Sequence, residues 1–119
     1  MSGVSHLPPN VQERLARYQQ LQNTLQSLVL QKQRLELELN ETERALKTLE
    51  GVPSDSQMYK SVGAILVEKN KDELVKELSE RKEFLEMRSK VLTRQENKTR
   101  ERLTSIQEAL QKELNLQQP

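Results

Sequence analysis

Two long stretches of leucines at alternating three- and four-residue spacing, parted by roughly 20 residues that break the rhythm, constrain this chain more than any single side chain does. In the first stretch Tyr18, Leu21, Leu25, Leu28, Leu35, Leu39, Leu46 and Leu49 keep the spacing. In the second, Val75, Leu78, Leu85, Leu92, Leu103, Ile106 and Leu110 keep it. Such spacing lays an apolar stripe along a helix, and a stripe must be covered. The intervening residues 51–70 read as a turn followed by two short strands. Helix, hairpin and returning helix predict a mainly α fold, a long antiparallel two-helix coiled coil with a β-element at its bend.

Composition favours a coil over a globule. The 119 residues suffice for one domain at most. They are 31% charged and 3% aromatic, with a mean hydropathy of −0.84. A compact globule of this length needs more apolar bulk, whereas a two-helix coil keeps only its seam dry. Disorder also lowers hydropathy, but it would not hold leucines at heptad spacing. Nineteen Lys and Arg face eighteen Asp and Glu, a net charge of +1 that exerts no global pull on nucleic acid or anionic lipid. The absence of cysteine removes disulfides, thiolate nucleophiles and Cys-based zinc sites. No apolar run approaches the roughly 18 residues of a membrane span. The start, Met1-Ser2-Gly3-Val4-Ser5-His6, lacks the basic and apolar regions of a secretory signal. A soluble, cytoplasmic protein is expected, with no membrane contact.

Residues 1–9 read as a flexible tail. Asn10 is the expected N-cap of a first coiled-coil helix over 10–50, with Glu13 as its capping-box partner. Heptad position a then holds Val11, Tyr18, Leu25, Lys32, Leu39 and Leu46, and position d holds Arg14, Leu21, Leu28, Leu35, Thr42 and Leu49. Gly51 is a natural C′ residue, and Pro53 blocks continuation. At about 1.5 Å per residue, some 40 residues span roughly 60 Å. Residues 51–70 form the loop and hairpin. Asn70 is a second N-cap, with Glu73 as partner. The second helix covers 71–116, and 117–119 are a short tail. Lys82, Ser89, Glu96 and Thr99 interrupt the second seam, and 93–102 contain no large apolar residue. With the bend near residue 61, Leu46 faces the Leu78 region and Leu25 the Thr99 region. The coil is predicted tight near the hairpin and looser beyond.

Catalysis has little to work with. His6, the single histidine, lies in the tail, where solvation is the ordinary state. Glu73, Glu77 and Glu80 belong to the mixed-charge rows of a solvated helix face. Three glycines, Gly3, Gly51 and Gly63, make no phosphate-binding loop. The chain is read as a non-enzyme without catalytic, cofactor-binding or metal sites. Arg88, Lys90, Arg94, Lys98, Arg100 and Arg102 make one stretch basic. Base-stacking aromatics are absent there, so a solvated face balanced by Glu96 and Glu101 is the better reading, with no nucleic-acid partner.

Two surfaces ask for protein partners. A bare turn needs a few polar residues, yet this one carries Met58, Tyr59, Val62, Ile65, Leu66 and Val67 around Gly63. An isolated hairpin is marginal in water and has open edges, so these residues are expected to serve subunit assembly. At the far ends of the coil, Val11, Leu15, Tyr18, Leu103, Ile106, Leu110 and Leu114, with Leu116, exceed what a fraying seam hides. Exposed apolar tips are expected to touch another chain.

The segment Tyr59-Lys60-Ser61-Val62-Gly63-Ala64-Ile65-Leu66-Val67 resembles the Tyr-Lys-x-x-Gly-x-x-Leu/Ile-Val signature of beta-class prefoldin subunits. Pro8-Pro9-Asn10-Val11-Gln12 and Tyr18-Gln19-Gln20-Leu21-Gln22 are similar to that class's first helix. Leu85-Glu86-Met87-Arg88 and Thr93-Arg94-Gln95-Glu96 are similar to its second. The likeness covers nearly the whole chain, and its style is archaeal. A single hairpin points to the beta class, since alpha-class subunits carry two. The resemblance implies an ATP-independent holdase chaperone. In it, two alpha-class and four beta-class subunits join hairpins into a β-barrel platform, forming a hexamer. Coiled-coil tips grip unfolded client proteins and deliver them to a group II chaperonin. A structural coiled-coil scaffold that oligomerises without binding clients is the competing reading. A helix pair that binds nucleic acid through 88–102 is a third.

Overall fold

The structure, a computed structural model, describes residues 7–116. Residues 1–6, with His6, and residues 117–119 lie outside the described residues, as does the side chain of Leu116. Helix α1 (Pro9–Glu50) leads through the antiparallel strands β1 (Met58–Val62) and β2 (Ile65–Lys69) into helix α2 (Lys71–Leu116).

Helix ends follow from local chemistry. Pro9 opens α1 because its fixed φ suits the first helical position and its missing N–H is an orphan there anyway. The Pro8 carbonyl accepts from the Val11 and Gln12 amides, both at 3.0 Å. Asn10 therefore lies inside the helix and is not the cap it was expected to be. Gly51 also departs from expectation, because Gly63 is the one glycine at positive φ among the described residues. Helix α1 closes instead through tighter bonds, from the Gly51 amide to the Thr48 carbonyl (3.2 Å) and from Val52 to Leu49 (3.1 Å). Asn70 does cap α2. Its Oδ1 accepts from the Glu73 amide at 2.8 Å, and its Nδ2 donates to the Glu73 carboxylate at 3.2 Å.

The chain divides into two compact units. In the hairpin unit, Gln33–Lys90, the helices run antiparallel. Arg81 of α2 pairs with Glu38 of α1, and the Lys71 ammonium donates to the Val52 carbonyl at 2.8 Å. Leu35, Thr42, Leu49 and Leu85 form its buried seam. The Thr42 hydroxyl donates to the Glu38 carbonyl one turn back at 2.8 Å, so a polar group sits in the seam without an orphaned donor.

The terminal unit comprises the described parts of Met1–Lys32 and Val91–Pro119. Its helices are also antiparallel, with Arg14 paired to Glu113 and the Lys32 ammonium 3.7 Å from the Glu96 carboxylate. Val11, Leu28, Leu92, Thr99 and Leu110 are buried, Val11 to 1% exposure and Leu92 to 2%. The looser seam expected beyond Lys82 is thus absent from this unit. Thr99 returns its hydroxyl to the Gln95 carbonyl at 2.8 Å, and Glu96 meets Lys32 and Arg100. Each leucine buried in either seam contributes about 1.5–3 kcal/mol.

Candidate functional site

The hairpin is built by a two-residue turn. Val62 pairs with Ile65, leaving Gly63 and Ala64 as the connection. Gly63 has φ +57°, while no other residue type takes positive φ among the described residues. A first central residue at positive φ followed by one at negative φ is the type II′ arrangement, which matches strand twist. A Cβ on Gly63 would meet nothing within 4 Å, so any cost of substitution is conformational and not steric. Gly63→Ala is expected to cost about 1–2 kcal/mol. Faster amide exchange within 58–69, with unchanged helix content, would report it.

Alternation divides the hairpin into two faces. Met58, Lys60 and Val62 pair with Lys69, Val67 and Ile65 on one; Tyr59 and Ser61 pair with Glu68 and Leu66 on the other. Met58, Val67 and Lys69 are half-buried, all on the first face. Glu77 of α2 explains which way that face turns. Its carboxylate receives the Lys60 ammonium at 2.8 Å and the Lys69 ammonium at 3.2 Å. These lysines project from the first face and tie it to α2. Tyr59, Val62, Ile65 and Leu66 remain exposed, Ile65 at 63% and Leu66 at 69%. Gly63 is exposed at the turn.

The hydrogen bond from Lys60, then that from Lys69, holds the Glu77 carboxyl below its ordinary value of 4.5. A carboxylate whose folded value is depressed stabilises the fold above its unfolded value, and that contribution is lost as pH falls through the lowered one. The tie is therefore complete at neutral pH and released in acid. Because all three groups are open to water, its contribution is small. On acidification, amide exchange over 58–69 should slow less than the intrinsic rate does, a loss of protection confined to the hairpin. Glu77→Gln should show the same loosening at pH 7.

The seven apolar residues expected at the coil ends separate into three groups. Val11 and Leu110 are buried and serve the seam of the terminal unit. Leu15, Tyr18, Leu103 and Ile106 are half-buried, and Leu114 is 40% exposed. Leu30, Leu37, Phe84 and Met87 are exposed apolar residues that the heptad argument passed over. They lie off the a and d positions, and that displacement from the stripe was the available signal. Arg81 covers part of Phe84, its guanidinium carbon 5.3 Å from the ring centroid. Arg88, Lys90, Arg94, Lys98, Arg100 and Arg102 are all exposed, and Arg100 bonds Glu96 one turn back at 3.0 Å. Among the described residues, no three His, Cys, Asp or Glu side chains gather where they could hold a metal ion. No described helix is long and apolar enough to cross a membrane.

A family model described as a prefoldin subunit matches residues 12–117. The chain is 45% identical over 114 residues to the prefoldin subunit beta of Archaeoglobus fulgidus, covering 96% of this chain and 98% of the relative. It is 44% identical over 111 residues to the prefoldin subunit beta of Pyrobaculum neutrophilum, covering 93% and 88%. The crystal structure of the prefoldin beta subunit from Thermococcus strain KS-1 superposes with a TM-score of 0.82 at 41% identity, covering 94% of this chain and 96% of that one.

Proposed function

The chain belongs to the prefoldin subunit family, and from that premise we propose that it is a beta-class subunit of a cytoplasmic, hexameric holdase chaperone. One observation supports assembly through the hairpin. A single chain leaves Tyr59, Val62, Ile65 and Leu66 open to water on a two-stranded sheet that has no second layer. Apolar groups left open on both faces of a hairpin need further layers to be stable, and hairpins from alpha-class subunits and further beta-class copies supply them. Met58, Gly63 and Val67 complete the assembly surface.

Unfolded clients are held by the apolar residues of the terminal unit. Leu15, Tyr18, Leu103, Ile106 and Leu114 offer side-chain area to a client directly. Val11 and Leu110 contribute if the helix ends part. Clients of many sequences cannot be read by fixed hydrogen bonds, so adaptable apolar contact is the fitting chemistry. Holding is passive, and delivery to a group II chaperonin follows.

The test is co-expression with an alpha-class subunit, native mass measurement, and an aggregation assay on a denatured reporter protein. A mixed hexamer that suppresses aggregation is the expected result, with ATP changing neither binding nor release. A complex that forms but leaves aggregation untouched would be the scaffold instead. Release driven by ATP without a chaperonin would overturn passive holding.

A further inference from the structure

The terminal unit carries a cleft of about 420 Å³ in which half-buried Leu21 and Ile106 adjoin exposed Arg17 and Arg102. Arg14 also lines it, but its guanidinium is committed to Glu113. Neither Arg17 nor Arg102 pairs with a carboxylate among the described residues. Glu101 is the carboxylate on the wall, so with Arg14 answered by Glu113, two arginines face one glutamate.

The cleft thus joins apolar area to guanidiniums with donors to spare. A planar guanidinium fork matches a carboxylate in a bidentate pair, which is stronger than a neutral hydrogen bond. The aliphatic stems of the same arginines extend the apolar surface. A basic segment would meet like charge. A purely apolar segment would bury Leu21 and Ile106 and leave the arginines unanswered. The volume is of small-ligand scale, about 300–1,000 Å³, and so takes a few side chains of an extended chain in preference to a folded partner.

We propose that this cleft selects unfolded client segments in which acidic residues alternate with apolar ones. The inference rests on the client-binding function above and adds a charge preference to it. Arg17 and Arg102 act as specificity determinants, while Leu21 and Ile106 supply contact common to all clients.

The test uses the full-length chain assembled with an alpha-class subunit and two labelled extended peptides. One alternates leucine with aspartate; the other carries asparagine at the same positions. The aspartate peptide should bind about tenfold tighter at low ionic strength. That preference should fall to about twofold or less at 1 M salt, where the screening length is about 3 Å. Arg17→Gln with Arg102→Gln should erase the preference, bringing the aspartate peptide's affinity down to that of the asparagine peptide. Arg17→Glu with Arg102→Glu should redirect it to a third peptide that carries lysine at those positions, with helix content checked by circular dichroism. Equal binding of both peptides by the unaltered complex would overturn the proposal, as would a preference that survives the glutamine pair. If the asparagine peptide and a denatured reporter still bind in those cases, client holding stands and only the charge preference falls. If nothing binds, both fall together.

Discussion

Ile65→Asp combined with Leu66→Asp is expected to abolish assembly with alpha-class subunits while both helices stay folded. The two side chains are the most exposed large apolar groups of the hairpin and point to opposite faces, so their loss removes little from the isolated chain. If each is buried on assembly, the lost contribution is about 3–6 kcal/mol per interface, a weakening of about two to four orders of magnitude. Buried aspartates would add a desolvation penalty. Native mass measurement should return free subunits or small oligomers, and circular dichroism should be unchanged. Ile65→Thr with Leu66→Thr keeps strand-compatible residues and should weaken assembly less. A wild-type hexamer from the aspartate variant would remove the hairpin from the interface.

Deleting residues 1–20 together with everything after Lys98 is expected to abolish aggregation suppression and leave the hexamer intact. The deletion removes Val11, Leu15, Tyr18, Leu103, Ile106, Leu110 and Leu114, and it spares the whole hairpin unit. A single apolar contact of about 1.5–3 kcal/mol holds a client weakly. Several tips acting on one chain raise the effective concentration and so the avidity by about 10²–10⁴. Losing every tip removes both terms. Light scattering from a denatured reporter measures the outcome. Full suppression by the shortened hexamer would place the client surface on the hairpin platform.

The helix–hairpin–helix order was legible because heptad leucines, a glycine turn and β-branched runs each carry a short-range signal. The second helix kept its stripe through Lys82, Ser89, Glu96 and Thr99, residues that read from sequence as breaks. Sequence hides why they are tolerated. Thr99 answers its own backbone, and Glu96 finds a lysine from the other helix. Both helix-end misreadings share a cause. Asn10 and Gly51 have strong cap preferences, but Pro8–Pro9 and the tightened last turn of α1 satisfied those ends first. The hairpin's apolar exposure followed from composition. Its tie to Glu77 did not, because that contact joins residues 17 apart in sequence, one on the hairpin and one on the helix that follows.

The Lys32–Glu96 pair has a consequence for alignment. Leucines that recur every seven residues fit a partner helix almost as well after a slip of one heptad, so apolar contact alone leaves the sliding position of two helices poorly defined. A slip would move Lys32 opposite Ser89 or Leu103, parting a mostly covered ammonium from its carboxylate and leaving Glu96 with Arg100 alone. An unanswered, partly desolvated charge is penalised where a displaced leucine is not. The polar interruption thus acts as an index mark. It gives up a little of the seam's stability and in return makes one sliding position of the terminal unit's two strands of helix distinguishable from its neighbours seven residues away.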